Sequence, residues 1–235
     1  EIMPSLVGSE MCIRDRMSCM RKLGAEIDFT GDRAEITGIK DIPETAELDC
    51  GESGSTLRFL IPVACALGVK TTFQGRGRLP QRPITPYLDE FPKHGISFEY
   101  DNTMPFSVNG KLTGGKFYVD GGISSQFITG LLFALPLLEE DSEIILTSHL
   151  ESKPYVDITL GTLREHGCQV EETENGYFVK GGQHYMPFSG RVEGDYSQAA
   201  FFKVANSLGS DIDIAGLSEK SFQGDKKIVE ICEKI

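Results

Sequence analysis

The sequence predicts an α/β fold built from a repeated βαβαββ unit, with buried, near-parallel helices wrapped by sheets. Three observations carry the prediction. First, a glycine turn rich in hydroxyl residues precedes a strongly apolar run three times: Gly51-Glu52-Ser53-Gly54-Ser55-Thr56, Gly121-Gly122-Ile123-Ser124-Ser125-Gln126 and Gly194-Asp195-Tyr196-Ser197-Gln198. Second, the anchoring glycines Gly51, Gly121 and Gly194 recur at roughly 70-residue intervals, and self-similarity at a fixed period is the signature of a structural repeat. Third, a second helical stretch follows in two of the units. It opens on a cation–proline pair, Arg82-Pro83 or Lys153-Pro154, and closes on His94-Gly95 or His166-Gly167. Proline at a helix start and glycine just past its end is the expected asymmetry.

Taken in order, Glu1 to Arg16 shows no sustained period and no signal-peptide core. It resembles translated adapter sequence and is set aside as a non-native leader, residues 1–16. Met17 to Leu23 reads as the end of a helix capped by Gly24. Ala25–Phe29 and Arg33–Ile36 read as strands joined by a turn at Thr30-Gly31-Asp32. Ile39–Glu47, with Pro43, reads as a connector. The first full unit has its apolar helix over Leu57–Leu67, its second helix from Arg82 to His94, and strands at Ile96–Tyr100 and Pro105–Val108. The second unit has a strand at Lys116–Asp120, a helix over Phe127–Leu138, a helix from Lys153 to His166, and strands at Cys168–Thr173 and Tyr177–Val179. A further unit opens with the helix Ala199–Leu208, a strand at Asp211–Ile214 and a helix from Lys226 to Ile235, which has no cap. The chain therefore reads as cut at both ends.

The helices after the glycine turns are apolar almost all round, which requires burial. Arg58, Lys203 and Asn206 are the exceptions. The helices after the prolines carry one apolar stripe, such as Tyr87, Leu88 and Phe91, with Asp89, Glu90 and Lys93 opposite, and read as surface helices. Parallel inner helices would aim their N-termini at one face and concentrate positive potential and unpaired N–H groups there.

The formal net charge of −12 over 235 residues argues against nucleic acid and acidic membrane surfaces as partners. No apolar run is long enough to span a bilayer, and the longest contains Pro136. The six cysteines form no Cys-x-x-Cys pair and no zinc spacing, so no metal site is expected and a reducing cytoplasm fits best. His94 and His166 occupy the last helical turn, where a cation is favoured, and read as structural. His149 and His184 have no evident partner, and Asp157 reads as a solvated or hydrogen-bonded acid rather than a catalyst.

At the expected face, Gly54, Ser55, Ser124, Ser125, Gln126, Asp195 and Ser197 come from the glycine turns. Arg82, Ser152, Lys153 and Tyr155 come from the proline-started helices. A helix N-terminus with hydroxyl donors is a cradle for phosphate or carboxylate, and the Arg82 fork suits either anion. Against this, a serine in such a place can simply cap the helix, and an arginine can simply lie on the surface.

Gly51–Arg58, Arg82-Pro83-Ile84, Ser124-Ser125-Gln126-Phe127, Ser152–Thr159, Gly194-Asp195 and Gln223-Gly224-Asp225 together resemble the 5-enolpyruvylshikimate-3-phosphate synthase family in order and spacing. The resemblance extends over Met17 to Ile235. It implies one lobe of the enolpyruvyl transferase fold, with residues 17–215 as an N-terminal shikimate-phosphate-binding lobe, incomplete at its start, and residues 216–235 opening the second lobe. It also implies transfer of the enolpyruvyl group from phosphoenolpyruvate to shikimate 3-phosphate, with release of phosphate, on the route to chorismate and aromatic amino acids.

By resemblance, Ser124, Ser125 and Ser152 bind the shikimate phosphate. Gln126 contacts the ring and the phosphoenolpyruvate side, and Tyr155 lines the shikimate pocket. Gly54 and Arg82 belong to the phosphoenolpyruvate site, which glyphosate also occupies. Ser55 stands where many members have threonine. The resemblance implies no cofactor, no metal and a monomeric full-length enzyme in the cytoplasm. The family's catalytic acid and lysine lie in the other lobe, and its Lys-Ser segment would precede Met17. No catalytic residue is therefore assigned here, and this chain is expected to be inactive alone. Two alternatives stand beside this reading: the related UDP-N-acetylglucosamine enolpyruvyl transferase, and a non-catalytic anion-binding repeat module.

Overall fold

The computed structural model describes residues 6–30 and 33–234, with residues 6–11 described by their backbone alone. The chain opens with helix α1 (Leu6–Lys22), which ends at Gly24, where φ is +104°. The helix expected to finish near Leu23 does so, but it starts well before Met17. The set-aside residues 6–16 form its first turns. Strands β1 (Glu26–Thr30) and β2 (Arg33–Thr37) pair antiparallel. Gly31 and Asp32 of the expected turn between them lie outside the described residues.

Two complete units follow. The first contains β3 (Thr45–Asp49), α2 (Gly54–Leu67), β4 (Lys70–Gln74), a 3-10 turn at Leu79–Gln81, α3 (Thr85–Glu90) running into a 3-10 turn at Phe91–His94, β5 (Ser97–Glu99) and β6 (Phe106–Asn109). The second contains β7 (Gly115–Val119), α4 (Ser125–Ala134) ending in a 3-10 turn at Leu135–Leu137, β8 (Ser142–Leu146), α5 (Lys153–Glu165), β9 (Val170–Thr173) and β10 (Gly176–Val179). Their sheets have the same topology, β3-β4-β6-β5 and β7-β8-β10-β9. In each, the first pair is parallel and the rest antiparallel. The repeat read from the sequence is thus an architectural repeat. The connection between the two parallel strands of each unit is an apolar helix, as a parallel pair requires.

That helix is buried in both units. Leu57, Leu60, Ile61, Ala64 and Cys65 of α2 and Phe127, Ile128, Leu131, Leu132 and Ala134 of α4 share one core with Phe73, Phe91 and Phe117. Burying each large apolar side chain contributes about 1.5–3 kcal/mol. The two helices run parallel and in contact. Phe59 packs edge-on to Phe133 at 5.5 Å between ring centres, and Arg58 lies over the Phe127 ring at 4.8 Å. Helix α5 runs the same way beside α4, with the hydroxyls of Thr129 and Thr159 2.9 Å apart.

Six expectations need correction. Thr45–Asp49 is a strand, not a connector. Only Ala46 and Leu48 face inward along it, too few apolar residues for the alternation to be read. Arg82-Pro83 does not open a helix. Arg82 closes the preceding 3-10 turn in an extended conformation, and Pro86 occupies the helix start at α3. Glu90 is not on the solvent side but 3% exposed. Its carboxylate accepts from the Tyr118 N–H at 3.1 Å and from Lys93 at 2.6 Å, so it closes the free edge of β7.

The remaining three corrections concern the last unit. The strand expected at Asp211–Ile214 does not form. The Asn206 side-chain amide takes both backbone groups of Ile212, at 2.8 and 2.9 Å, and so removes that residue from any ladder. The third apolar helix, α6 (Tyr196–Ser207), buries only Tyr196 and Ala199. It packs on a 3-10 turn at Gly224–Lys227 and the short α7 (Ile228–Cys232), which replace the single helix expected from Lys226; Ile235 lies outside the described residues. Phe201 and Leu208 of this segment are 75% and 78% exposed. No helix is long and apolar enough to cross a membrane among the described residues.

Candidate functional site

Because α2, α4 and α5 are parallel neighbours, their N-termini open on one end of the lobe. Each glycine turn delivers its helix there. In the first, the Ser53 hydroxyl caps α2 by accepting from Thr56 N–H at 3.2 Å. In the second, Ser124 caps α4 by accepting from Gln126 N–H at 3.3 Å. The capping reading of the serines therefore holds for Ser53 and Ser124. Ser125, one residue on, is buried, and its hydroxyl is not committed to any described partner. Gly121 allows the loop before α5 to press against this turn. A Cβ there would come within 3.0–3.1 Å of backbone atoms of Ser148, His149 and Leu150. Glu151 N–H donates to the Gly121 carbonyl at 3.2 Å, and Gly122 N–H donates to the Ser148 hydroxyl at 3.0 Å and to Asp120 at 2.8 Å. Ser148 in turn donates to Asp120.

This junction leads directly into Ser152. Ser152 sits at the start of α5 in the left-handed region, φ 59° and ψ 37°, and its side chain makes no capping bond. A non-glycine residue held there stores about 1–3 kcal/mol of strain, a cost concentrated at functional positions. Tyr155, one turn on, is 57% exposed. Lys153 differs from its repeat equivalent Arg82. Its ammonium is held by Asp157 at 2.6 Å and Glu172 at 3.2 Å. Those two acids, Asp157 first, raise its pKa and neutralise it as an anion receptor. Lys153 lines a cavity of about 570 Å³ with Ser148, His149, Glu172 and Tyr177. None of the seven residues expected to bind ligand lines that cavity.

Arg82 lies against the first turn. A Cβ on Gly54 would stand 2.5 Å from the Arg82 Nη1, so the absent side chain at Gly54 gives the guanidinium its place. No carboxylate pairs with Arg82 among the described residues. Sequence reasoning passed over a second guanidinium beside it. Arg58, 8% exposed, donates through Nη1 to the Gln126 Oε1 at 2.8 Å and through Nη2 to the Pro83 carbonyl at 3.2 Å. Burial, and then the neighbouring charge of Arg82, push its pKa down from the usual arginine value. The signal was present in the sequence as a lone charge in an apolar helix.

The structure thus gathers Gly54, Arg82 and Gln126 around Arg58, with Ser125 one residue from Gln126, and joins Ser152 and Tyr155 to them through the Gly121 junction. The third turn does not join the α2–α4 pair. Asp195 caps α6 by accepting from Ser197 N–H at 2.8 Å, and the Ser197 hydroxyl is spent on Asp225 at 2.6 Å. Gln223 ties this turn together through Tyr196 and Gly194. The adjacent Gly224 rests on Pro154, at 2.9 Å from its built Cβ. His94 is structural, stacked at 3.9 Å on Phe117 with its ring nitrogens facing the Gly114 and Lys116 carbonyls. His166 bonds the Thr162 carbonyl at its helix end. No group of His, Cys, Asp and Glu able to hold a metal ion occurs among the described residues.

Two βαβαββ units thus bring parallel helix N-termini, and donors with no partner among the described residues, to one end of the lobe. The family can be named from comparison. A family model described as EPSP synthase (3-phosphoshikimate 1-carboxyvinyltransferase) matches residues 12–235, and the chain belongs to that family. The 3-phosphoshikimate 1-carboxyvinyltransferase of Clostridium perfringens (strain SM101 / Type A) is 44% identical over 221 residues, covering 92% of this chain and 52% of the relative. That of Clostridium botulinum (strain Alaska E43 / Type E3) is 43% identical over 231 residues, covering 95% and 53%. The chain therefore spans about half the length of the curated relatives it matches. The solved EPSP synthase of Acinetobacter baumannii superposes with a TM-score of 0.76 at 20% identity, over 94% of this chain and 50% of that one. This supports the fold.

Proposed function

We propose that this chain is the substrate-holding part of an enzyme that transfers the enolpyruvyl group of phosphoenolpyruvate to shikimate 3-phosphate and releases phosphate. The observation that carries the reading is the meeting of three parallel helix N-termini with an unpaired arginine lying against Gly54. In this reading Ser124, Ser125 and Ser152 hold the shikimate phosphate, Tyr155 lines the ring, Gly54 and Arg82 hold phosphoenolpyruvate, and Gln126 serves both. Addition–elimination at an enol ether needs a hydroxyl deprotonated and a methylene carbon protonated. It also needs two anions held in line, which removes much of the entropic barrier. The groups at this mouth are suited to the holding. The proton transfers fall to the rest of the full-length enzyme, a cytoplasmic monomer in this reading. Residues 17–215, with the part of α1 that the family match takes in from residue 12, would form the shikimate-phosphate lobe, and 216–235 would open the next. Limited proteolysis that instead cuts first within 181–194 would move that boundary.

Calorimetric titration of the chain with shikimate 3-phosphate, beside a coupled phosphate-release assay with both substrates, tests the reading. Weak binding without turnover is expected; Ser125→Ala should abolish the binding of shikimate 3-phosphate, and Arg82→Ala should abolish that of phosphoenolpyruvate in a matching titration. Sustained phosphate release by this chain alone would refute the division of labour. Binding indifferent to both substitutions would refute the site. The names carried by relatives at 43–44% identity favour shikimate 3-phosphate over UDP-N-acetylglucosamine, which should not compete in the same titration.

A further inference from the structure

We propose that Arg58 is a positioning residue that locks the Gln126 side-chain amide in one orientation, with its NH2 group offered to the bound anion. The inference rests on the anion-site reading above and adds how that site is set. A guanidinium has only donors to give. The Gln126 atom 2.8 Å from Arg58 Nη1 must therefore be the carbonyl oxygen, Oε1. That assignment leaves Nε2 as a donor that makes no hydrogen bond to any described residue.

The same guanidinium holds the Pro83 carbonyl at 3.2 Å through Nη2, next to Arg82, and is clamped from a third side by the Phe127 ring at 4.8 Å. One buried side chain on α2 thus fixes the amide on the α4 turn and the segment carrying Arg82. Its own carbonyl is also held, by the Tyr87 hydroxyl at 2.8 Å, so the clamp is anchored at both ends. The consequence is chemical selectivity. With Oε1 turned to Arg58, Gln126 offers the mouth its Nε2 donor, beside the Arg82 fork and hydroxyls that can donate. The mouth is set for a fully ionised phosphate or carboxylate, and the amide is oriented before the ligand arrives. Such pre-organisation strengthens binding by removing an ordering cost.

The experiment follows the Gln126 side-chain NH2 resonances by 15N NMR in the chain, without ligand and then with shikimate 3-phosphate or inorganic phosphate. Arg58→Met, Arg58→Lys and Gln126→Glu are compared with the parent. The parent should give one sharp NH2 pair that shifts on adding shikimate 3-phosphate. Arg58→Met should broaden or move that pair even without ligand and weaken binding about tenfold, equivalent to about 1.4 kcal/mol. Arg58→Lys should recover part of the loss, since an ammonium can reach Oε1 but cannot also fork to Pro83. It carries the test if Arg58→Met fails to fold. Gln126→Glu should pair with Arg58, keep or raise the melting temperature, and abolish binding, because a carboxylate presents only acceptors.

An unmoved NH2 pair in both Arg58 variants overturns the proposal, and so does Gln126→Glu binding as the parent does. If the parent shows no response to shikimate 3-phosphate, or Ser125→Ala and Arg82→Ala bind unchanged, the anion-site reading fails instead. The ligand-free NH2 pair then still decides whether Arg58 sets the amide.

Discussion

At the scale of single residues, Gly54 separates binding from stability. As a helix-start glycine it is disfavoured relative to alanine by up to about 1 kcal/mol, yet a Cβ there would stand 2.5 Å from Arg82 Nη1. The obstructing atom is the tip of a flexible side chain, so it yields. Gly54→Ala should therefore fold with unchanged or slightly higher thermal stability while displacing Arg82. Titration with phosphoenolpyruvate should show affinity reduced several-fold; unchanged affinity would mean that Arg82 is not placed by this contact. Asp120 gives a pH dependence. The Ser148 hydroxyl, and then the Gly122 N–H, hold its carboxyl below the usual range. A carboxyl depressed on folding contributes stability above its unfolded value of about 3.9, and that stability is lost as pH falls through the lower folded value. Acidification through that window should speed amide exchange at Gly122 by releasing the second glycine turn. Asp120→Asn should remove the pH dependence.

At the scale of elements, the pairing of α2 with α4 rests on a backbone debt. Pro62 lies inside α2 and has no N–H, so the Arg58 carbonyl four residues back loses its helical donor. The Tyr87 hydroxyl, delivered by α3, lies 2.8 Å from that carbonyl and 3.0 Å from the Phe127 carbonyl of α4, so one phenol joins three helices. Its complete burial raises its pKa well above the tyrosine value and keeps it protonated as a donor. Tyr87→Phe leaves the Arg58 carbonyl without a donor and should cost about 1–3 kcal/mol, read as a lowered urea midpoint at unchanged slope. Gly130 is the facing residue. A Cβ there would overlap the Arg58 carbonyl oxygen and the Tyr87 hydroxyl and come within 3.0 Å of Pro62 Cγ. Backbone and proline ring cannot swing aside, so Gly130→Ala should cost at least the roughly 1–3 kcal/mol of overpacking, despite the better helix propensity of alanine. An unchanged midpoint would mean that the two helices are not held at this spacing.

At the scale of the whole molecule, α6 stands apart from the core that α2 and α4 share. Phe201 and Leu208 at 75% and 78% exposed, with Phe202 and Val204 beside them, form an apolar face of the kind that drives association. The chain should therefore associate reversibly at rising concentration. Phe201→Ser with Leu208→Ser should suppress the light scattering without lowering the unfolding midpoint. An unfolding free energy lowered by more than about 1 kcal/mol would show that these side chains are buried in solution.

Much of this was legible in the sequence. The glycine turns and apolar runs marked α2 and α4, and the stretch from Lys153 to Gly167 marked α5, because propensity and capping are local. The parallel alignment of α2 and α4 followed from the repeat itself, since equivalent helices in equivalent units point the same way. What the chain order could not yield depended on neighbours distant along it. β3 is a strand because β4 pairs with it, and within Asp211–Ile214 the Asn206 amide takes both backbone groups of Ile212. Glu90 is buried because the β7 edge needs an acceptor, and Lys153 is held by Asp157 on its own helix and also by Glu172 from the next hairpin. Arg58 was visible only as an anomaly in an apolar helix. Its role appeared once α4 stood beside α2, because a hydrogen bond between residues 58 and 126 is decided by packing geometry in space rather than by the character of either segment alone.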